Sequence, residues 1–346
     1  MIVLGIESSC DDTGVGIVDD KRNILANIVA SQIVHHKPYD GVVPEIAARA
    51  HLEALSPCIQ AALEQANLSF NDIDVIAATT GPGLIGGLIV GSAFAKSLCL
   101  VSSKPFVSVN HLEAHALTVR LSSDVEFPYI LLLVSGGHSQ FLLVNGVGSY
   151  KLLGSTLDDA VGECFDKCAK LLGLGYPGGP VIETRAKNGN ALAFNLPKPM
   201  LGRAGCDLSF SGLKTAVRTI VYEELSVSDA LSSRFIDDMA ASLQETIALC
   251  LKDRASNAIK TVLSMNVSPN AFVVSGGVGA NLAVRSKLQE TALSFSIPFA
   301  APPVKLCSDN GVMIAWTGLE RFRLGIFDPL AVRARPRWPV QDVKAI

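Results

Sequence analysis

The sequence predicts an α/β fold of two lobes, and three observations support this prediction. The order strand, polar turn, strand, turn, strand occurs at residues 2–30 and again at residues 129–153, as expected of an internal duplication. Three of the predicted strands end in glycine-rich turns. The chain also has 346 residues, which is more than a domain with a single hydrophobic core usually contains. We therefore expect two mixed sheets, one in each lobe.

In the first half of the chain, short apolar runs typical of strands alternate with segments whose apolar residues recur with the period of a helix. The predicted strands lie at residues 2–6, 15–18, 24–30, 74–80 and 106–110, and the predicted helices at 45–66, 84–101 and 111–121. The helix at 84–101 resembles a membrane span in its apolar composition, but its glycines, serines and Lys96 favour a buried, closely packed helix.

The second half repeats this start and then becomes largely helical. Its predicted elements are strands at 129–134, 139–144, 149–153 and 271–274, a helical region at 157–267 and a last helix at 311–322. Asp158 or Asp159 is predicted to cap the first helix of that region. The expected domains are an N-terminal lobe at 1–125 completed by the final helix at 309–325, a C-terminal lobe at 126–308 with its helical insertion at 157–267, and a tail at 326–346.

Composition limits the class of protein. Hydrophobic residues make up 49% of the chain and charged residues 18%, which argues against a disordered polypeptide. The net charge of −3 argues against a protein that binds nucleic acid on its own, because phosphate neutralisation supplies most of that affinity. The eight cysteines are scattered and no signal peptide opens the sequence. We therefore expect a cytoplasmic protein with reduced thiols and no membrane partner.

The strands that end at residues 80, 134 and 274 each run into a glycine-rich turn. Paired glycines let backbone N–H groups approach a phosphate without a Cβ in the way. One such turn is weak evidence, because most glycine turns are only tight turns. Three in one chain predict a nucleotide cleft, with a phosphate loop from each lobe and adenosine bound against residues 276–281.

His111 and His115 follow a predicted strand and stand four residues apart, so they share one face of a helix. This spacing can offer two imidazoles to one metal ion, and two structural histidines fit it equally well. Glu113 lies about 200° round the helix from His111 and faces away from the pair. A zinc protease of the H-E-x-x-H type needs its glutamate beside the metal-bound water. The spacing therefore argues against a protease.

Ten short motifs, spread in order over nearly the whole chain, carry a family resemblance. They are 5–11 (GIESSCD), 44–49 (PEIAAR), 80–83 (TGPG), 111–115 (HLEAH), 134–138 (VSGGH), 166–167 (DK), 176–180 (YPGGP), 210–215 (FSGLKT), 275–278 (SGGV) with Asn281, and 308–311 (SDNG). Together they resemble the TsaD (Gcp) family, the threonylcarbamoyladenosine synthases that modify tRNA. The resemblance implies a two-lobed actin/sugar-kinase/Hsp70-like (ASKHA) α/β fold with duplicated mixed sheets and a central cleft.

The resemblance also implies that Asp309 joins His111 and His115 as a third metal ligand. On the residues alone, Asp309 is more simply a helix cap, a role that Ser308 could fill equally well. Two histidines and one carboxylate leave coordination positions open, as in non-haem Fe(II) centres. We therefore expect one divalent metal ion, with Fe²⁺ as the first choice and Zn²⁺ as the second.

Substrate contacts are implied by the same resemblance. They are Val134, Ser135, Gly136, Gly137, His138, Asp166, Gly179, Glu183 and Asn281. Glu183 stands where many relatives have aspartate, and Asp166 fits equally a solvated partner of Lys170. Asp11, in the turn after the first strand, is the candidate catalytic residue. It could position the acceptor amine or take its proton, or it could cap the turn.

The reaction implied by the resemblance is transfer of the threonylcarbamoyl group of threonylcarbamoyl-AMP to N6 of adenosine 37 in tRNAs that read ANN codons. The implied partners are the tRNA anticodon loop, a TsaB-like paralogue and a TsaE-like ATPase. Arg333, Arg335, Arg337 and Trp338 form either a small RNA-binding patch or an exposed tail.

Three rival functions remain. An ASKHA-fold small-molecule kinase would normally use Mg²⁺ held by carboxylates and waters instead of a histidine pair. A metalloprotease conflicts with the position of Glu113. A non-catalytic scaffold of this superfamily should lack the histidine pair and the glycine turn at 275–281, and this chain has both.

Overall fold

The computed structural model describes residues 1–39 and 41–344. Contacts between residues divide the chain into two compact units. The first unit comprises Met1–Asp124, Gly146–Tyr150 and Ser308–Ile346, and the second comprises Val125–Asn145 and Lys151–Cys307. The first unit is therefore built from both ends of the chain.

Strands form where apolar and β-branched residues follow one another between turns. They are β1 (Ile2–Glu7), β2 (Asp12–Asp19), β3 (Ile24–Ser31), β4 (Val75–Gly81), β5 (Phe106–Asn110), β6 (Tyr129–Val134), β7 (Ser139–Gly146), β8 (Ser149–Ser155), β9 (Phe272–Ser275) and β10 (Phe299–Ala300). Nearly all of these positions follow the strands expected from the sequence.

Helices occupy most of the remaining chain. They are α1 (Ile33–His36), α2 (Pro44–Ala66), α3 (Ile85–Ser102), α4 (His111–Ser122), α5 (Val161–Leu171), α6 (Gly178–Ala186), α7 (Ser211–Val227), α8 (Ser233–Ser264), α9 (Leu282–Ser294) and α10 (Gly311–Arg323). Pro57 lies inside α2.

Two five-stranded sheets share one strand order, which confirms the predicted pair of duplicated mixed sheets. The first runs β3-β2-β1-β4-β5 and the second β8-β7-β6-β9-β10. In both, the central strand pairs antiparallel with the next strand in sequence and parallel with the strand on its other side. Central strands with parallel neighbours are covered on both faces. Accordingly, β4, β6 and β9 are buried along their whole length.

Helix α10 packs on the first sheet with backbone against backbone. Every residue from Gly311 to Arg321 is buried. A Cβ added at Gly5 would lie 2.2 Å from the nitrogen of Ala315, and one added at Gly16 would lie 2.2 Å from the nitrogen of Val312. Only glycine permits this approach. The packing therefore fixes the start of α10 at Gly311, two residues after Asp309.

The expectation that α3 is a buried helix is wrong for one of its faces. Gly87 and Gly91 do pack closely on Ser8, but only 33% of the helix is buried. Ile89 and Val101 are 53% and 81% exposed. Within residues 1–39 and 41–344, α3 is the one helix long and apolar enough to cross a membrane. A single such helix is weak evidence for a span, because core helices share these features.

Residues 333–338, called the C-terminal strap below, are not the exposed tail that the sequence suggested. The backbone N–H of Arg335 donates to the carbonyl oxygen of Thr80 (2.7 Å), and that of Gly83 donates to the carbonyl oxygen of Pro336 (3.1 Å). Trp338 is only 8% exposed. The strap is therefore part of the first unit.

The strap also explains the glycine turn after β4. A Cβ added at Gly81 would lie 2.0 Å from the carbonyl oxygen of Arg335, and one at Gly83 would lie 2.5 Å from the carbonyl oxygen of Ser9. The N–H of Gly83 already donates to Pro336. The prediction of a phosphate loop at this turn is therefore wrong, and its glycines allow close packing instead.

One predicted helix cap also differs. Helix α5 begins after Ala160, so neither Asp158 nor Asp159 is its N-cap. The Asp158 carboxylate instead accepts hydrogen bonds from the backbone N–H groups of Phe210 (2.7 Å) and Ser211 (3.1 Å). It therefore satisfies donors at the start of α7, about 50 residues away, which local spacing cannot reveal.

Candidate functional site

Helix α4 begins directly after β5, and its first residue is His111. The Oδ1 atom of Asn110 accepts hydrogen bonds from the N–H groups of Leu112 (2.9 Å) and Glu113 (3.2 Å), so Asn110 caps the helix. A helix that starts at this residue places His111 and His115 on one face. Their ring centroids lie 4.7 Å apart.

The carboxylate of Asp309 lies beside both histidines. Its Oδ1 atom is 3.1 Å from the Nε2 atom of His115 and 3.5 Å from the Nε2 atom of His111. The alternative role of Asp309 or Ser308 as the cap of the last helix is not the one observed. Asn310 caps α10 by accepting a hydrogen bond from the N–H of Met313 (2.9 Å), which leaves the Asp309 carboxylate on the side of the histidines.

The geometry of this trio fits a metal ion. One candidate ligand atom from each residue lies within 4.8 Å of the others. Two ligands that each bind a metal at about 2.0–2.2 Å stand about 3–3.5 Å apart, and the observed separations of 3.1 and 3.5 Å agree. The histidine side chains are 7% and 1% exposed and that of Asp309 is 25% exposed. This donor set leaves coordination positions for a substrate.

Glu7 is a part of this site that the sequence did not reveal. Its carboxylate is fully buried, and the Oε2 atom lies 3.0 Å from the Nδ1 atom of His111. The same carboxylate accepts hydrogen bonds from the hydroxyl of Thr79 (2.6 Å) and the backbone N–H of Ser9 (2.6 Å). Metal-binding histidines typically donate the N–H of the ring nitrogen that is not bound to the metal to a carboxylate. A charged residue at the end of an otherwise apolar strand was the available signal.

The carboxylates around His111 make its position favourable for positive charge. Burial lowers the pKa of His111, but Asp309 and Glu7 outweigh it and raise the pKa to about 9. Burial raises the pKa of Glu7, and the charge of His111 and its hydrogen bond lower it by more. The two groups thus stabilise each other's charged forms.

Glu113 points away from the histidine pair, as its spacing predicts. It is fully buried and accepts hydrogen bonds from Arg321 (3.1 Å), the hydroxyl of Tyr150 (2.9 Å) and the N–H of Gly148 (3.0 Å). A carboxylate engaged in this way cannot take a proton from water at the metal. The geometry therefore removes the base that a metalloprotease would need.

Asp11 lies half-buried in the turn between β1 and β2. Its carbonyl oxygen accepts a hydrogen bond from the N–H of Gln32 (3.2 Å), and the Nε2 atom of His51 lies 3.0 Å from the carbonyl oxygen of Cys10. Burial raises the pKa of the Cys10 thiol, and Asp11 and Asp309 raise it further. The turn therefore holds Asp11 in the same acidic environment as Asp309, while Cys10 stays protonated.

In the second unit, the glycine turns after β6 and β9 lie against each other. Gly276 has a φ of 93°, and a Cβ added there would lie 2.4 Å from the carbonyl oxygen of Val134. Both observations require glycine at this position. Two of the three turns predicted to approach a nucleotide are thus neighbours.

The turn after β6 is closed at its base and open at its tip. The N–H of Ser135 donates to the carbonyl oxygen of His138 (2.8 Å). Gly136 and Gly137 are exposed, and a Cβ added at either would meet no atom within 4 Å. Packing therefore does not require these two glycines, and a ligand can approach their backbone.

Asp166 and Gly179 lie on adjoining helices of the second unit. The Oδ1 atom of Asp166, on α5, accepts a hydrogen bond from the N–H of Gly178 (2.7 Å) at the start of α6. Gly179 follows, and a Cβ added to it would meet open space. Asp166 therefore fixes the start of α6.

Glu183 and Asn281 meet at the start of α9. The Oε1 atom of Glu183 accepts a hydrogen bond from the N–H of Leu282 (2.8 Å). Asn281 caps α9 by accepting from the N–H of Val284 (3.0 Å), and its side-chain NH₂ donates to Gln244 (2.8 Å). Gln244 is a further residue of this region that the sequence did not reveal, because it comes from the distant helix α8.

Comparison with known proteins identifies the family. The family model for TsaD, tRNA N6-adenosine threonylcarbamoyltransferase, matches residues 23–316. A tRNA N6-adenosine threonylcarbamoyltransferase from Paramagnetospirillum magneticum is 51% identical over 340 residues, which cover 98% of this chain and 97% of the relative. Another from Methylorubrum extorquens is 52% identical over 347 residues and covers 99% of each chain.

Solved structures confirm the fold class. HypF of T. kodakarensis is similar with a TM-score of 0.58 and 14% identity, over 93% of this chain and 47% of HypF. Component A of the (R)-2-hydroxyglutaryl-CoA dehydratase of Acidaminococcus fermentans has a TM-score of 0.55 and 15% identity, over 93% of this chain and 98% of the other. At such identities they show the fold alone, which is ASKHA-like. The sequence matches go further: the chain belongs to the TsaD family of tRNA N6-adenosine threonylcarbamoyltransferases.

Proposed function

We propose that this protein transfers the threonylcarbamoyl group of threonylcarbamoyl-AMP to N6 of adenosine 37 in tRNAs that read ANN codons. Membership of the TsaD family over nearly the whole chain is the observation that carries this proposal. The relatives named above are tRNA N6-adenosine threonylcarbamoyltransferases, and this chain has no large deletion relative to them. Neither the kinase nor the protease alternative receives comparable support.

In this proposal His111, His115 and Asp309 hold one divalent metal ion. The convergence of the two Nε2 atoms on one carboxylate oxygen supports this role. Two histidines with a carboxylate and open positions favour Fe²⁺, with Zn²⁺ as the second choice. When bound, the ion supplies Lewis-acid and template chemistry for the threonylcarbamoyl moiety. Glu7 holds the ring of His111 in place through its Nδ1 atom.

The second unit would bind the adenylate. Backbone N–H groups at Gly136 and Gly137 are accessible and suit the phosphate of the leaving AMP. We assign Val134, Ser135, His138 and Gly179 to the same binding region. Asp166, Glu183 and Asn281 would contact the ribose or the adenine, and the hydrogen bonds that they make to helix N-termini hold them in position.

The reaction itself is aminolysis of a mixed anhydride. N6 of the acceptor adenosine attacks the carbamoyl carbon, a new C–N bond forms, the bond from that carbon to the phosphate oxygen breaks, and AMP leaves. A proton leaves N6 in the process, and we assign Asp11 to position the amine or accept that proton. Because the leaving group is good, orientation contributes more than a strong base. His138 is the alternative proton relay.

Partners are part of the proposal. The net charge of −3 gives the chain little general affinity for RNA. We therefore propose that a TsaB-like paralogue and a TsaE-like ATPase act with it in the cytoplasm, and that the tRNA anticodon loop presents an unstacked adenosine. The metalloprotease alternative lacks a base, because Glu113 is bound to Arg321.

The test is nucleoside analysis of tRNA after incubation with this protein, its candidate partners, threonine, bicarbonate, ATP and the adenylate-forming enzyme. The wild type should give N6-threonylcarbamoyladenosine, and His111→Ala and Asp309→Ala should abolish it. His35→Ala changes an exposed histidine outside the site and should leave the yield unchanged. Full yield from either site variant would contradict the metal assignment, and no product from the wild type would contradict the activity.

A further inference from the structure

The C-terminal strap is bound to the turn after β4. Two backbone hydrogen bonds join it to the turn after β4, at Thr80 and Gly83. The guanidinium of Arg335 lies 4.6 Å from the centre of the Trp338 ring, which is a stacking distance. Trp338 itself is buried. These contacts are made within the chain itself, so the strap needs no partner to form them.

Three arginines of the strap present their charge to solvent. Arg333, Arg335 and Arg337 are exposed, and within residues 1–39 and 41–344 none of them forms an ion pair with a carboxylate. Four residue steps of extended chain span at most about 14 Å. Three positive charges are therefore concentrated on a short segment of a chain whose net charge is −3.

The strap also contacts the helix of the candidate metal centre. The carbonyl oxygen of Trp338 accepts a hydrogen bond from the side-chain NH₂ of Asn110 (2.9 Å). Asn110 is the N-cap of α4 and the residue before His111. The segment that carries the exposed arginines is therefore hydrogen-bonded to Asn110, the residue before the candidate metal ligand His111.

We propose that the C-terminal strap binds the phosphate backbone of the tRNA substrate, an inference that rests on the proposed function. Arginine guanidinium groups match phosphate oxygens in a two-pronged geometry. The Trp338 ring is covered by Arg335 and buried, so it is not a platform for a base. The contact is consequently electrostatic and independent of sequence. Its place beside α4 favours RNA over a membrane surface, because the acceptor adenosine must reach the same site.

The test measures tRNA binding against salt concentration, by filter retention, for the full chain assembled with its candidate partners. Replacing three phosphate contacts should reduce the slope of log K against log salt by about 2. The variants are R333Q/R335Q/R337Q and, to keep Arg335 on Trp338, R333Q/R337Q. Lysine at all three positions should restore the slope. The matched control K187Q/K252Q/K260Q removes the same charge from exposed positions of the second unit and should keep the wild-type slope.

Two outcomes separate this inference from the proposed function. If the wild type modifies tRNA but both strap variants bind it with the wild-type slope, the inference fails and the function stands. If the wild type makes no modified nucleoside, the proposed function fails, and the inference fails with it. The same variants are also tested for binding to vesicles that contain anionic phospholipid. If they lose vesicle binding but keep wild-type tRNA binding, the strap binds a membrane and the inference is overturned.

Discussion

Glu7 connects the first strand to the helix that carries the histidine pair. Its Oε2 atom accepts a hydrogen bond from the hydroxyl of Thr79 and faces the Nδ1 atom of His111. With its Nδ1 atom in this contact, the ring of His111 directs its Nε2 atom towards Asp309. A carboxylate in this position fixes the ring orientation and the tautomer of a metal-binding histidine.

We expect Glu7→Ala to weaken Co²⁺ binding about 10–100-fold, the usual effect of losing such a partner. Competition with a chelator measures the dissociation constant without any need for catalysis. Asp12→Asn is the matched control. Burial raises the pKa of Asp12 most, and the charges of Asp11, Asp309 and Glu7 raise it further, so Asp12 lies in the same acidic environment. Within residues 1–39 and 41–344 it forms no ion pair with His111. An equal loss in both variants would show that negative charge matters and orientation does not.

Asp158 makes the second unit sensitive to acid. Burial raises its pKa, but hydrogen bonds from Ser209, Phe210 and Ser211 outweigh this effect and lower the pKa to about 2. Because the pKa is lower in the folded state than in the unfolded state, the stabilisation is present above about pH 4 and is lost as the pH falls towards 2.

We therefore expect Asp158→Asn to lower the free energy of unfolding at pH 6, and this difference from the wild type to shrink at pH 3. Urea unfolding at both pH values measures it. Asp229→Asn, at an exposed position, is the control and should show no such change with pH. A gap of the same size at pH 3 and pH 6 would mean that the charge of Asp158 is not what stabilises the start of α7.

Helices α4 and α10 are joined by two ion pairs of unequal burial. Glu113 and Arg321 are 0% and 6% exposed and lie 3.1 Å apart. Arg120 and Glu320 are 17% and 9% exposed and lie 2.8 Å apart. Since α4 carries the histidines and Asp309 precedes α10, these pairs hold the two sources of candidate metal ligands together.

Breaking the more buried pair should be the more costly change. We expect Glu113→Ala to reduce the free energy of unfolding by about 3–5 kcal/mol, because it leaves the Arg321 charge buried. The double variant with Arg321→Met should recover most of that loss. Glu320→Ala, between the same helices, should cost less. Urea unfolding of the four proteins gives the comparison, and a double variant as unstable as Glu113→Ala alone would contradict the explanation.

Local patterns in the sequence predict the elements well but not the contacts between them. Apolar runs predict the strands, and the four-residue spacing of His111 and His115 predicts their shared face. Three cap-forming residues stand in a row at 308–310, and only the packing of α10 selects Asn310. Glu7 and His111, which contact each other in the candidate site, are 104 residues apart in the sequence. Asn110 and Trp338, which are hydrogen-bonded, are 228 residues apart. No local spacing can pair such residues.

The order of the chain has a consequence for the molecule as a whole. The sheet of the first unit comes from the N-terminal part of the chain, whereas α10 and the C-terminal strap come from the other end. Within residues 1–39 and 41–344, the buried residues that form the core of the second unit lie between Ile130 and Ile297. The two units therefore differ in how far their folding depends on completion of the chain.

Deletion of residues 308–346 should consequently unfold the first unit and spare the core of the second. Hydrogen exchange read by mass spectrometry should show lost protection in β1, β4 and α4 and retained protection in β6 and β9. The full-length variant Gly16→Ala should give the same pattern more weakly, because the new Cβ lies 2.2 Å from the nitrogen of Val312. Gly212→Ala, where a Cβ meets open space, is its control. Full protection of α4 in the deletion variant would show that the first sheet folds without α10, against the backbone packing at Gly5 and Gly16.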